Sequence, residues 1–221
     1  MSQMRFNEYF AKVVLESCFP KHFINLQILD KPDLQSSNKI GVEVTNCMPK
    51  EAAEAFNLWN RVAKQGKKTP TRILKRLEQL KYIVHFEGNT LIWEQGTYLD
   101  GDIDNSPIKE FLNAVAKKEE RLNSKNAQYE EMERYELFVI SAISIFRPEQ
   151  TYALLARMRE LNNKSKKFDK IYLVTSDQKL FVFDLLNNSF DIKPLYSKLD
   201  CMTYKAIELY KTTKQSSNLK R

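Results

Sequence analysis

Two hydrophobic periods alternate along this chain, and that alternation constrains the fold more than any single motif does. From Gln3 to Phe19, the residues Met4, Phe6, Phe10, Val13, Val14 and Phe19 recur mostly every three or four positions, predicting an amphipathic helix that Pro20 ends. Phe23 to Leu29 places Ile24, Leu26 and Ile28 on one face of a strand, and Lys39 to Thr45 is a β-branched strand beyond the turn residues Gln35 to Asn38. Helical spacing returns from Glu51 to Ala63. Thr69 as N-cap and Pro70 as first helical residue open a further helix through Leu80. Tyr82 to Glu87 and Thr90 to Glu94 flank Gly88-Asn89 as a tight hairpin. A helix is predicted from Pro107 to about Glu133, a buried strand from Tyr135 to Ile145, a helix from Pro148 to about Asn162, and strands at Lys170 to Thr175 and Lys179 to Asp184. The expectation is one α/β domain over residues 1–221, with an insertion at about 64–106 carrying a helix and hairpin, and a frayed, disordered basic tail at about 211–221.

Composition narrows the class. The 221 residues are 43% hydrophobic and 29% charged with only 5 Gly and 7 Pro, which suits a packed core and excludes disordered and collagenous chains. No apolar run approaches the roughly 18 residues that cross a bilayer, and the polar start of the chain lacks the apolar segment of a signal peptide, so a cytoplasmic protein without membrane contact is expected. Cys18, Cys47 and Cys201 lack CxxC spacing, so buried thiols are expected rather than disulfides or a thiolate zinc site. The net charge is +7, and the span from Arg61 to Lys81 carries eight basic residues against the single acid Glu78, a local excess equal to the whole. Such a run either forms a solvated helix face or holds a polyanion. Lys67, Lys68, Arg72, Lys75 and Arg76 are the candidate nucleic-acid contacts, made to the backbone rather than to base edges.

The most informative residue is Glu43. In a strand, Glu43 and Thr45 share one face while Val42 and Val44 take the other. A carboxylate inside an apolar strand is expensive to bury unless a cation compensates it. Asp33, just after the preceding strand, can approach Glu43 across the pair, and two carboxylates converging on one divalent ion suit Mg²⁺ or Mn²⁺. The competing reading is a turn aspartate and an edge-strand glutamate that face water.

Pro32-Asp33 followed by Glu43-Val44-Thr45, with Glu16 on the preceding helix, resembles the PD-(D/E)xK nuclease superfamily over roughly residues 5 to 145. The resemblance implies a restriction-endonuclease-like mixed β-sheet flanked by helices. It also implies Mg²⁺ held by Asp33, Glu43, Glu16 and the Val44 carbonyl, DNA (or RNA) as substrate, and a homodimer. Thr45 stands where the family has its lysine, and a hydroxyl orients water without supplying positive charge. The helix after the insertion offers replacements, Lys118 first and Lys117 in reserve. The expected catalytic set is therefore Asp33, Glu43, Thr45 and Lys118.

Other patterns are weaker. Asp100 to Asp104 starts like a calcium loop but has Asn105 where Gly is needed and Phe111 where Glu is needed. His22 and His85 are expected to be structural, and Trp59, Tyr82 and Trp93, near the basic stretch, to be core residues, with base stacking as the alternative. There is no P-loop and no GxGxxG. The function expected is a metal-dependent endonuclease. The alternatives are an inactive nucleic-acid-binding or regulatory protein of the same fold, and a protein-interaction module of the immunity or phage accessory kind.

Overall fold

A computed structural model of the protein describes residues 6–47, 54–55, 58, 61–62, 65–80, 82–87, 90–95, 106–125, 128–141, 148–175, 177–196 and 198–218. It is an α/β protein. Seven strands form one mixed sheet: β1 (Gln27–Ile28), β2 (Leu34–Gln35), β3 (Ile40–Asn46), β6 (Arg134–Ile140), β7 (Phe168–Val174), β8 (Lys179–Asp184) and β9 (Ser189–Pro194) lie side by side in that order. β1, β2 and β3 are antiparallel, β3, β6 and β7 are parallel, and β8 and β9 return antiparallel. β4 (Tyr82–Glu87) and β5 (Thr90–Gln95) pair in a separate two-stranded sheet, in keeping with the predicted hairpin. The described α-helices are α1 (Phe6–Cys18), α2 (Thr71–Gln79), α3 (Ser106–Leu122), α4 (Pro148–Leu161) and α5 (Leu199–Asn218).

Strand alternation divides the core in two. Val42, Val44, Phe138, Tyr172 and Val182 face a layer made by α1 and α5, where Phe10, Val14, Met202 and Ala206 are buried. Leu137, Val139, Ile171, Leu173 and Phe181 face α3 and α4, where Phe111, Val115, Leu154 and Met158 are buried. The parallel centre of the sheet is thus covered on both faces, which is why its strands are apolar almost throughout.

Several boundaries differ from expectation, each for a local reason. The strand predicted from Phe23 to Leu29 pairs only over Gln27–Ile28, because the backbone of Ile24 is engaged instead by the hydroxyls of Ser36 and Ser37. Thr69 is not an N-cap: its hydroxyl donates to the Gly66 carbonyl at 2.6 Å across the turn Gly66–Lys68, and Pro70 takes the cap position. The helix expected to reach Glu133 ends at Leu122, where Asn123 donates to the Glu119 carbonyl at 2.9 Å and ties the helix end to Lys166. The strand expected to Ile145 is paired through Ile140, and residues 142–147 lie outside the described set. Beyond Asp184 the chain adds β9 and α5, neither foreseen, and the tail read as frayed is helical to Asn218. The helix predicted over Glu51 to Ala63 lies largely outside the described residues, as do Gly88-Asn89 and the acidic loop at 100–104.

Candidate functional site

The site begins at the β2–β3 pairing. Leu34 is registered with Val42, so continuing by one residue sets Asp33 across from Glu43 on the same face of the sheet. Asp33 is fixed there by accepting the Val44 backbone N–H on Oδ2 at 2.8 Å. A strand residue projects its N–H and C=O toward the same neighbour, so the Val44 carbonyl is turned toward the Asp33 side as well. Gly41 is required by a close approach: a Cβ there would run into the Pro32 ring and stand 2.9 Å from Met132 Cγ.

Glu43 is 1% exposed and points into the layer of α3. Two turns along that helix from Phe111 stands Lys118, whose ammonium donates to Glu43 Oε2 at 2.6 Å and to Asp33 Oδ2 at 3.2 Å. One cation therefore joins both carboxylates. Burial pushes the Glu43 carboxyl above the usual carboxylate range, the Lys118 charge pulls it back down, and Asp33 raises it again. The other Glu43 oxygen, Oε1, is buried and has no hydrogen-bond partner among the described residues.

The remaining predicted residues are distributed unevenly. Thr45 is half-buried and shares the face of Glu43 by alternation. Glu16 is not brought to the pair: it lies on α1, which packs on the opposite face of the sheet, and it pairs with Lys12, which also donates to the Leu26 carbonyl. Among the described residues no group of three or more His, Cys, Asp or Glu side chains converges, so the expected third carboxylate is missing. Lys67, Lys68, Arg72, Lys75 and Arg76 are all solvent-exposed, on α2 and the turn before it. Arg76 is engaged by Glu54 through Nε at 2.7 Å and Nη2 at 2.8 Å. α2 packs on β4, and none of the five is seen in contact with Asp33, Glu43 or Lys118.

Sequence reasoning missed two residues. Tyr129, in the segment after α3, has a buried hydroxyl beside Glu43. Glu136 on β6 is 0% exposed on the other face of the sheet, where it accepts from Tyr172 at 3.0 Å and meets His22 Nε2 at 2.8 Å. The signal for Glu136 was the one that exposed Glu43, a carboxylate inside an apolar strand; Tyr129 follows no period and carried no signal. His22 thus stands on the face opposite Glu43, paired with Glu136, while the side chain of His85 lies outside the described set. Cys47 is buried, its thiol pushed up to about 11 by burial, Cys18 is half-buried, and Cys201 is exposed.

Two carboxylates that meet at the Lys118 ammonium, with Glu43 Oε1 buried and unsatisfied, offer hard oxygen donors of the kind a small cation takes. Magnesium commonly takes one or two protein carboxylates and fills its remaining positions with waters and phosphate oxygens, so Asp33 and Glu43 without a third acid fit it. Among the described residues no helix is long and apolar enough to cross a membrane. No protein-family model, curated protein or solved structure compared with the chain matches it.

Proposed function

We propose that the protein is a metal-dependent phosphodiester hydrolase of the restriction-endonuclease-like kind, acting on DNA. The observation that carries the reading is the convergence of Asp33, Glu43 and Lys118, three residues from three separate elements, on one buried point. The order helix, antiparallel meander, crossover helix, parallel strand, with Asp33 in the turn just before β2 and Glu43 on the adjacent β3, further supports it.

Asp33 and Glu43 would hold Mg²⁺ or Mn²⁺, with the Val44 carbonyl turned to the same side. A bound divalent ion lowers the pKa of water and neutralises charge on a scissile phosphate. Lys118 supplies the positive charge that Thr45 cannot, and it donates toward the point where the carboxylates meet, so an anionic oxygen there gains a preorganised donor. Thr45 offers a hydroxyl on the same face to orient water. The exposed lysines and arginines around α2 serve non-specific attraction of the backbone, with strong salt dependence.

The experiment is plasmid cleavage with Mg²⁺ or Mn²⁺ by wild type and Glu43→Ala, with Asp33→Asn alongside. Wild-type cleavage that both substitutions abolish is expected; equal cleavage by all three, or none by any, removes the catalytic claim. A second reading has one observation in its favour. Lys118 already pairs with both carboxylates, as in a purely structural triad of a non-catalytic binding protein. That protein would retain DNA at low salt, indifferent to metal and to Glu43→Ala.

A further inference from the structure

Two buried oxygens at this site stand without partners among the described residues: Glu43 Oε1 and the Tyr129 hydroxyl. Native interiors rarely leave a polar atom unpaired, and two in one place are resolved together by a third body that both can bind. They are near enough to disturb each other. Burial and the Glu43 charge hold the Tyr129 hydroxyl well above the usual phenol range, while Tyr129 helps to lower the Glu43 carboxyl. The two side chains stand at the edge of hydrogen-bonding reach, yet their contact falls short of a hydrogen bond of ordinary geometry, so neither oxygen is satisfied by the other.

The backbone fixes this arrangement. After α3 ends, the chain runs back along the start of β3: the Glu130 N–H donates to the Lys31 carbonyl at 3.1 Å and the Glu133 N–H to the Lys39 carbonyl at 3.0 Å. Tyr135 locks the same segment, donating its hydroxyl to the Glu130 carbonyl at 3.0 Å and accepting the Met132 N–H at 3.2 Å. Tyr129 is therefore tied to the loop that carries Asp33. Its other side lines a cavity of about 310 Å³, shared with Asn123, Ser124, Lys125, Gln128 and Lys166. A tyrosine belonging both to the carboxylate pair and to a polar cavity with two lysines stands where a hydrated or anionic ligand would arrive.

We propose that Tyr129 is a positioning residue of this site, its hydroxyl and Glu43 Oε1 together holding one water molecule, which a divalent cation at Asp33 and Glu43 would share. The cation part rests on the hydrolase reading above; the water part does not. The protonated phenol donates to the water oxygen, the water donates one hydrogen to Glu43 Oε1, its other hydrogen is free to face the cavity, and its remaining lone pair is the one a cation would take.

Tyr129→Phe removes only the hydroxyl. The test compares wild type and Tyr129→Phe by urea unfolding without metal and by calorimetric titration with Mn²⁺ alone, with circular dichroism confirming that both fold. Where wild type binds Mn²⁺, an affinity about 10–100-fold weaker in Tyr129→Phe is expected, the loss typical of a partner outside the ligand shell, and equal affinity overturns the proposal. A merely packed tyrosine would not move that ratio. If wild type binds no Mn²⁺, the cation reading falls, and the urea midpoint decides the water. A lower midpoint in Tyr129→Phe supports the held water, and an equal or higher one refutes it, because removing an unpaired buried hydroxyl does not destabilise.

Discussion

At the scale of single residues, Lys118 is the residue on which Glu43 depends. Its ammonium and both carboxylates are at least four-fifths buried, so little solvent screens them. Removing one partner from such a group leaves a buried charge without compensation, and the expected cost of Lys118→Met is about 3–5 kcal/mol. The same substitution frees the carboxylates for an external cation. Thermal unfolding with and without Mn²⁺ should therefore show a lower midpoint for Lys118→Met than for wild type, and a larger rise on adding Mn²⁺. A rise no larger than that of wild type would mean that the pair is no cation seat. The choice of Lys118 over its neighbour Lys117 was legible only as a choice among cations on one helix. Which lysine faces inward was set by the packing of Phe111 and Val115, since positions three, four and seven residues apart share a face. Glu16 shows the converse: only the family resemblance, which implies a carboxylate on the preceding helix, pointed to it, and α1 covers the opposite side of the sheet.

At the scale of elements, the β2–β3 pairing is the device that builds the site, and Gly41 is its tightest point. A methyl group there meets the Pro32 ring and Met132 at once, so Gly41→Ala forces apart the turn that presents Asp33 and the segment that carries Tyr129. Overpacking of this kind costs about 1–3 kcal/mol. Urea unfolding should register that loss, and Mn²⁺ titration a weaker affinity; unchanged values for both would show that the turn tolerates displacement. Elements with strong periodicity were legible, as α1, α4 and the two runs of the hairpin illustrate. The end of α3 was not, because no Pro or Gly follows Leu122 to mark a stop, while Asn123 and the Lys39 contacts pull the chain into an extended path. β9 was invisible for another reason: an edge strand with exposed, half-exposed and charged residues has no clean alternation, and pairing with β8 alone defines it.

At the scale of the molecule, the sheet keeps two chemistries apart. The α3 and α4 side carries the Asp33, Glu43 and Lys118 triad, and the α1 and α5 side carries the His22, Glu136 and Tyr172 network within an aromatic-rich core. Helix α5 closes that second side through Met202 and Ala206, and Tyr210 packs edge-on against Tyr9 at 5.5 Å. Met202→Ala should destabilise the protein by about 2–5 kcal/mol. It should leave Mn²⁺ affinity unchanged, which chemical unfolding and calorimetry together would check. A large loss of affinity would mean that the two faces communicate.

The sequence by itself determined the class of fold, the order of most elements and the strand that holds Glu43, because these follow from hydrophobic periods and from the expense of a carboxylate among β-branched residues. Tertiary structure decided which cation answers Glu43, that Glu16 stands apart, that Tyr129 faces the pair, and where the basic segment lies. Those outcomes depend on which face of the sheet each helix covers and on how far apart in sequence the contacting residues are. Asp33 and Lys118 are separated by 85 positions, and no local period reports on a contact of that range.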